Sequence, residues 1–255
     1  MALTRSTPIL LGISMIILVG IWPVFAQTPN FQQMLEDIDE LGNFEDDDFS
    51  CVYTIVSEKP GEEKSVTQAR LFRRDDQDQF VLLFLQPQVQ RGQGYLRIDD
   101  NVWFYDPESR KFEKSTMREN VQDSDAQNSD FNRNSLAADY DVVDWSEARL
   151  GKFPVYVLYL KAKHSDVSYD KTRIWVRKDI NIVLKEENYS VSDRLMRTVL
   201  YPRYTIVDDR YLPSSALIVD ELNNGERTQF SMKEATTSQI PDYVFSKAYL
   251  ERVNN

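Results

Sequence analysis

The chain has 255 residues, of which 42% are apolar and 28% charged, and its 41 acidic and 30 basic side chains leave a formal net charge of −11. That apolar content is too high for a disordered chain, and the length is enough to bury a core. The acidic excess argues against nucleic-acid binding, because affinity for phosphate rests on basic residues. With one cysteine and one histidine, we expect no metal site and no cofactor.

Residues 1–26 have the pattern of a cleaved secretory signal peptide. Arg5 precedes an apolar run, and small residues stand at the third and first positions before a cleavage site after Ala26. The alternative is an uncleaved anchor, although the run is at the short limit for a spanning helix and Pro23 interrupts its end. Because Gln27 stands where a lipoprotein would need a cysteine, we expect an exported, soluble protein without a lipid anchor.

An amphipathic helix is predicted over residues 29–42. Its apolar residues, among them Phe31, Met34 and Ile38, recur at helical spacing, and Gly42 suits its C-terminal end. We expect this helix to open a single domain that extends over residues 27–255.

The sequence after this helix is predicted to be almost entirely β-strand and turn. Segments rich in β-branched and aromatic residues alternate with turns such as Pro60-Gly61 and Asn224-Gly225. The connections are too short for helical crossovers, so a mainly β, antiparallel meander is expected. The predicted strands are 50–58, 65–74, 78–86, 93–98, 101–106, 111–115, 142–149, 153–163, 171–178, 181–190, 194–207, 213–222 and 226–235.

Two predicted strand segments, 80–85 and 155–160, are apolar on both faces. A sheet with one solvated side does not need such strands. Either a second layer covers the other face, or that face lines an apolar cavity. The sequence leaves both alternatives open.

Residues 116–141 interrupt the strands with a polar stretch followed by a short helix, in which Phe131 and Leu136 are apolar anchors. An excursion of this length between strands is more often functional than accidental. We expect it to form a loop and helix that act as a lid.

The chain carries no established catalytic or nucleotide-binding motif. His164 lacks a second histidine with which to share a metal, and the EF-hand-like start at Asp123 lacks the glycine and the closing glutamate of a calcium loop. We therefore expect no catalytic residue and no enzyme, with a hydrolase built on scattered carboxylates as a minor alternative.

Several segments together resemble the outer-membrane lipoprotein-sorting protein family, the LolA-like superfamily of periplasmic lipoprotein carriers. They follow the signal peptide and the N-terminal helix in the family's order. These segments are Pro87-x-x-x-x-Gly92, Gly94-Tyr95-Leu96, Trp103-Phe104-Tyr105-Asp106-Pro107, Ser129-Asp130-Phe131, Arg173-Ile174-Trp175-Val176, Leu195-Met196-Arg197 and Ile240-Pro241-Asp242-Tyr243-Val244-Phe245.

The resemblance implies a fold, a location and a function. The fold is an antiparallel half-barrel of about eleven strands, with helices that cover the concave face and enclose an apolar cavity. The location is the periplasm, with only transient membrane contact. The function is non-enzymatic: a carrier that shields the acyl chain of a lipoprotein or lipid during outer-membrane lipoprotein sorting, with an inner-membrane transporter permease as a further partner.

Candidate site residues follow from this resemblance and from the apolar strands. Arg70 and Arg73 lie on an early strand, where the family's functional arginine would be sought. The candidate cavity-lining residues, or their alternating neighbours, are Phe80, Leu82, Phe84, Trp103, Tyr105, Val157 and Tyr159. A register error of one residue would exchange the two faces.

A second hypothesis assigns the protein a different role. In it the half-barrel is a sensor or adaptor that binds a transporter or a signalling protein in the periplasm, and its cavity is incidental. The two hypotheses differ in whether an acyl chain occupies the cavity.

Overall fold

The protein is described by a computed structural model that covers residues 29–253; the predicted signal peptide lies outside the described residues. Thirteen strands form one open antiparallel sheet in the order β6-β5-β4-β3-β2-β1-β13-β12-β11-β10-β9-β8-β7. The strands are β1 Phe49–Glu58, β2 Ser65–Arg74, β3 Gln79–Gln86, β4 Gly94–Ile98, β5 Asn101–Asp106, β6 Lys111–Ser115, β7 Tyr140–Leu150, β8 Phe153–Ala162, β9 Lys171–Arg177, β10 Val183–Tyr189, β11 Leu195–Val207, β12 Arg210–Asp220 and β13 Arg227–Thr237.

The mainly β, antiparallel prediction is confirmed, and each predicted strand segment corresponds to one strand. The family-based figure of about eleven strands is too low by two. Consecutive strands pair as hairpins within each of two runs, β1 to β6 and β7 to β13, and the two runs join where β1 pairs with β13. The last strand of the first run, β6, and the first strand of the second run, β7, are the free edges of the sheet.

Three α-helices lie in the described part of the chain: α1 Phe31–Gly42, α2 Leu136–Asp139 and α3 Lys247–Arg252. Helix α1 begins two residues after the predicted start because the Asn30 side chain caps it, accepting a hydrogen bond from the Gln33 amide at 3.2 Å. None of these helices has the length and apolar character needed to cross a bilayer.

Residues 116–139, here called the crossing segment, run from edge strand β6 to edge strand β7. They pass over one face of the sheet, which we call the inner face. Strands β1, β4, β6, β7 and β9 to β13 all contribute residues to one cavity beneath the segment, so the sheet curves around it as a half-barrel. The inner face carries one core with Leu71, Leu82 and Phe230, and a second core beneath α1 with Leu158 and Ile174.

The opposite, outer face of β3 to β5 has its own covering layer. Residues 240–252, here called the C-terminal segment, place Ile240, Phe245 and Leu250 against Val81 and Leu83. Helices therefore lie on both faces of the sheet, whereas the resemblance implied helices on the concave face.

Candidate functional site

A cavity of about 1040 Å³ lies between the crossing segment and the inner face. This volume is slightly above the range of about 300–1000 Å³ that is usual for small-molecule sites. The far wall consists of inward positions of β9 to β13, and the near wall consists of residues 115–118 and 129–140 together with the loop 164–169. The cavity is therefore a space between the sheet and the segment that connects the edges of the sheet.

One part of the cavity wall is apolar. Phe131 of the crossing segment packs edge-on against Tyr53 and Phe230, with ring centroids 5.6 Å apart in each pair. Val199 and Ile218 extend this surface along β11 and β12. Phe131 is almost fully buried, so it both closes the core and forms an apolar surface inside the cavity.

A second part of the wall is a buried polar cluster on β9 to β11. Arg197 donates from Nη2 to Asp130 Oδ1 at 2.7 Å, which ties the crossing segment to the sheet. Tyr201 donates to Glu186 Oε2 at 3.3 Å, and Thr172 donates to Asn188 Oδ1 at 3.0 Å. These side chains all line the cavity, so its wall is amphipathic.

Burial and neighbouring charges shift the pKa values of Arg197 and Glu186, the two ionisable groups that the sheet contributes to this cluster. Burial alone would lower the pKa of Arg197, but the Asp130 carboxylate and its other neighbours outweigh burial and hold that pKa above its ordinary value. Burial raises the pKa of the Glu186 carboxyl, and Arg197 offsets this rise only in part. Arg197 therefore stays charged, while Glu186 is an acid that is costly to ionise.

Further polar contacts fasten the crossing segment near β4. Arg97 donates to Asn132 Oδ1 at 2.5 Å, and Arg133 Nε lies 3.0 Å from Asp78 Oδ1. Arg97 also lies 3.4 Å from Asp78, and burial lowers its pKa. These contacts anchor the segment to the half of the sheet opposite the Arg197 cluster.

Helix α2, at the end of the crossing segment, is fastened to α1. The Asp39 carboxylate accepts hydrogen bonds from the amides of Leu136 at 2.9 Å and Ala137 at 2.8 Å. Leu136 packs against the core beneath α1 and also lines the cavity. The predicted lid residues Phe131 and Leu136 thus both lie in the segment that covers the cavity, and a movable lid stays a prediction.

The predicted lining residues of β3 and β5 lie on two different faces. Phe80, Leu82 and Phe84 face inward but are packed in the core, while Trp103 and Tyr105 face outward beneath the C-terminal segment. The register explains this division. Leu82 pairs with Tyr95, and Tyr95 pairs with Phe104, so Phe104 rather than Trp103 shares the face of Leu82.

The predicted lining residues of β8 also point away from the cavity. Val157 and Tyr159 are on the outer face, because their neighbours Leu158 and Leu160 pack beneath α1 on the inner face. None of the seven predicted lining residues belongs to the cavity wall that the structure describes. The wall is formed by positions on other strands and by the crossing segment.

The two candidate arginines are also separated. Arg73 is buried on the inner face, where it lies 2.6 Å from Asp75 and donates to the carbonyls of Gly42 and Asn132. Arg70 is on the outer face, 2.8 Å from Glu234. The arginines that line the cavity are Arg97 and Arg197.

Arg197 belongs to one of the segments that carry the family resemblance, but the sequence did not mark it as a site residue, although one signal pointed to it. In β11 the inward positions Arg197, Val199 and Tyr201 alternate with outward ones, so a charge stands in line with two cavity-facing residues. A charged residue at an inward position is unusual enough to mark a site.

A group of three acids, Asp125, Asp220 and Glu226, brings its oxygens within 4.8 Å of one another. Asp125 Oδ2 accepts a hydrogen bond from the Thr228 hydroxyl at 2.8 Å, and the Asp125 amide donates to the same hydroxyl at 2.9 Å. These bonds hold the crossing segment on β13. Partly exposed acids of this kind do not by themselves define a metal site.

Comparisons with known proteins agree with this architecture. A family model with the description "Uncharacterized protein" matches residues 76–252, which is more than half of the chain. None of the curated proteins matches the sequence.

Three solved structures are similar over most of their length. A LolA superfamily protein from Nitrosomonas europaea is 23% identical, with a TM-score of 0.74 over 86% of this chain and 98% of its own. A DUF1329 family protein from Desulfovibrio piger is 19% identical, with a TM-score of 0.76 over 86% and 97% of the two chains. A putative outer membrane lipoprotein-sorting protein domain from Vibrio parahaemolyticus is 18% identical, with a TM-score of 0.75 over 87% and 98%.

At these identities the likeness concerns the fold, and function has to be argued from the cavity. The resemblance inferred from the sequence is confirmed at that level. The chain belongs to the family whose model spans residues 76–252, and it has the fold of the LolA superfamily and of the lipoprotein-sorting domains.

Proposed function

We propose that this protein is a periplasmic carrier that shields the acyl chain of a lipid or lipoprotein in the cavity beneath the crossing segment. The observation that carries the proposal is the cavity itself, with about 1040 Å³ of space between an apolar wall and a buried polar cluster. An amphiphile has the same two parts.

The energetics of an acyl chain favour such a site. Each CH₂ group removed from water contributes about 0.8 kcal/mol, so a chain of about 16 carbons gains on the order of 10 kcal/mol. Phe131, Phe230 and Ile218 offer apolar surface for this contact. The role is binding and release, and it assigns no chemical step to the protein.

Entry and exit need a movable wall, and the crossing segment is the candidate. Its fastenings are mainly polar, such as Arg197 with Asp130 and Asp39 with the amides of α2, and polar fastenings can exchange for water as the segment opens. A transporter permease that delivers the cargo would act on this segment.

An uptake experiment tests the proposal. The folded protein is titrated with a fluorescent fatty acid, alongside Ala216→Trp, which places an indole inside the cavity, and Leu217→Trp, which places one on the outer face of the same strand. We expect saturable uptake by the wild type and by Leu217→Trp, and at least tenfold weaker uptake by Ala216→Trp. Folded wild-type protein that takes up no acyl probe would overturn the carrier role and favour a sensor or adaptor.

A further inference from the structure

Arg197 has a hydrogen-bond donor that nothing in the described structure uses. The residue is 6% exposed and lines the cavity from β11. Its Nη2 group is bonded to Asp130, but its Nε is buried without a hydrogen-bond partner. A buried donor left unpaired costs about 1–3 kcal/mol, so an acceptor inside the cavity would be bound favourably there.

Arg73 also has an Nε without a hydrogen bond, but that atom lies 2.6 Å from the carboxylate oxygen Oδ1 of Asp75. Two arginines of the outer face, Arg173 and Arg177, have an unpartnered Nε as well. Their guanidinium groups lie over the rings of Tyr159 and Phe153, at 4.6 Å and 4.4 Å from the ring centroids. Those two groups have an aromatic surface as their environment. Arg197 differs because its guanidinium is part of a cavity wall.

Glu186 supplies the complementary acceptor on the neighbouring strand. It lines the same cavity and pairs across the sheet with Val199, two residues from Arg197. Within the described residues its hydrogen bonds come from two neutral side chains, those of Asn188 and Tyr201, and no lysine or arginine lies within salt-bridge distance. The carboxyl can therefore accept a hydrogen bond from a ligand.

The charge of the cluster limits what the ligand can be. Asp130 already neutralises Arg197, and Glu186 adds a second acid. The cluster is therefore neutral when Glu186 is protonated and negative when it is ionised. A head group that carries only negative charge would meet two carboxyl groups in a site of low dielectric, where like charges repel strongly.

We propose that the cluster of Arg197, Asp130 and Glu186 binds the polar end of the acyl ligand and selects among head groups. This inference rests on the carrier role proposed above. An ester or amide carbonyl of the ligand accepts from the Arg197 guanidinium, and a hydroxyl or ammonium group donates to Glu186. The cavity therefore selects neutral or zwitterionic acyl lipids over singly anionic ones.

The apolar wall that would hold the acyl chain is next to this head-group site. Asp130 and Phe131 are adjacent in the crossing segment, so one contacts Arg197 while the other forms the apolar surface with Tyr53 and Phe230. On β11, Arg197 and Val199 are successive residues of the inner face, so a polar and an apolar side chain again lie side by side. A ligand held at Arg197 by its carbonyl can thus extend its chain directly over the apolar wall.

The test uses lipids that share their acyl chains and differ only in the head. Diacylglycerol, phosphatidylethanolamine and phosphatidylglycerol each compete with an uncharged hydrophobic dye for the full-length mature chain. We expect the first two to bind at least tenfold more tightly than phosphatidylglycerol. Glu186→Gln, which removes the acid and keeps the shape, is expected to reduce that preference to less than threefold.

A second variant removes the donor. Arg197→Met combined with Asp130→Asn avoids an unpaired buried acid, and we expect it to weaken diacylglycerol and phosphatidylethanolamine about tenfold relative to the dye, whose own affinity is measured in parallel. Arg70→Met, which changes an arginine on the outer face, is the matched control and should leave all affinities as they are.

The outcomes separate the two proposals. If the folded wild type binds no dye and no lipid, the carrier role itself fails. If the dye binds and the three heads bind equally, or phosphatidylglycerol binds most tightly, the carrier role stands and the head-group inference is overturned.

Discussion

Strands β3 and β8 have nearly the same pattern of apolar residues, but their outer faces are covered in different ways. Residues 80–85 and 155–160 are apolar on both faces, and the inner face of each is packed in a core. Over the outer face of β3 lies the C-terminal segment. Over the outer face of β8 lie long side chains of the neighbouring strand.

The cover of β3 is made of main chain and apolar side chains. Val81 and Leu83 contact Ile240, Phe245 and Leu250 in a third core. Leu250 approaches so closely that a methyl group on Gly94 would lie 2.9 Å from its Cδ2 atom. The outer face of β3 is therefore a packed interior.

The cover of β8 is made of arginine and aromatic side chains. Val155 pairs with Arg177 and Val157 with Trp175, and both valines are buried. The guanidinium of Arg177 lies over Phe153. Long cationic side chains can shield apolar surface while their charged ends stay in water.

The contrast shows that a strand apolar on both faces is not evidence of a ligand cavity. In both strands the second face is covered by the protein itself. The cavity wall instead includes inward positions of mixed character, such as Arg197, Val199 and Tyr201 on β11. A site for an amphiphile requires such a mixture, because part of the ligand is polar.

The largest effect is expected at the cover of β3. Leu250→Ala removes a fully buried side chain from the C-terminal segment, and we expect it to lower the free energy of unfolding by about 2–5 kcal/mol. Urea denaturation followed by tryptophan fluorescence measures this. Val253→Ala, at the exposed position that directly follows this segment, should change it by less than about 0.5 kcal/mol. A loss below about 1 kcal/mol for Leu250→Ala would show that the segment is not part of the core.

Gly94 tests the same contact from the sheet. A Cβ atom at this position would lie 2.9 Å from the Leu82 carbonyl oxygen as well as from Leu250 Cδ2, so we expect Gly94→Ala to cost about 1–3 kcal/mol. The cost should fall when Leu250 is also alanine, because one of the two close contacts is then absent. Additive losses in the double variant would contradict this packing.

Much of the fold could be predicted because its signals are local. Alternation and turn residues located the strands, and Pro60-Gly61 and Asn224-Gly225 do lie between strands that pair. The site could not be predicted in the same way, since it depends on which faces the curved sheet turns inward. Trp103 and Phe104 are neighbours in sequence, and only the register with Tyr95 shows that Phe104 faces the inner side.

The position of Arg197 shows the second limit. Its partner Asp130 lies in the crossing segment, and no spacing in the sequence indicates that the segment folds back onto β11. The C-terminal segment was unpredictable for the same reason. Nothing in residues 240–252 indicates which face of the sheet they cover.

The packing of α1 over the inner face of β8 can be tested by measuring stability at different pH values, because Asp39 bonds α1 to α2. Burial raises the pKa of Asp39 to about 6, although the amides of Ala137 and Leu136 lower it. The folded protein therefore holds a proton between pH 4 and 6 that the unfolded chain releases, so this carboxyl contributes less stability as pH rises through that range.

We expect the wild type to lose roughly 1–2 kcal/mol relative to Asp39→Asn between pH 4 and pH 7, since one pKa unit is about 1.36 kcal/mol and solvent reduces the full effect. Denaturation at several pH values measures this difference. Asp37→Asn, on the same helix, serves as the control. A stability difference that does not change with pH, or that changes in the opposite direction, would contradict the assignment.

The smallest effect is expected at the outer cover of β8. The Arg173 guanidinium lies 4.6 Å from the ring centroid of Tyr159 and 5.3 Å from that of Tyr189, so its side chain shields aromatic surface. We expect Arg173→Ala to cost about 1 kcal/mol in urea denaturation. Arg173→Met keeps a long apolar stem and should recover about half of that loss. If methionine destabilises the protein as much as alanine does, the charge of Arg173 matters at this position and its apolar stem does not. The outer face of β8 would then be stabilised by electrostatic interactions, whereas that of β3 is stabilised by buried apolar area.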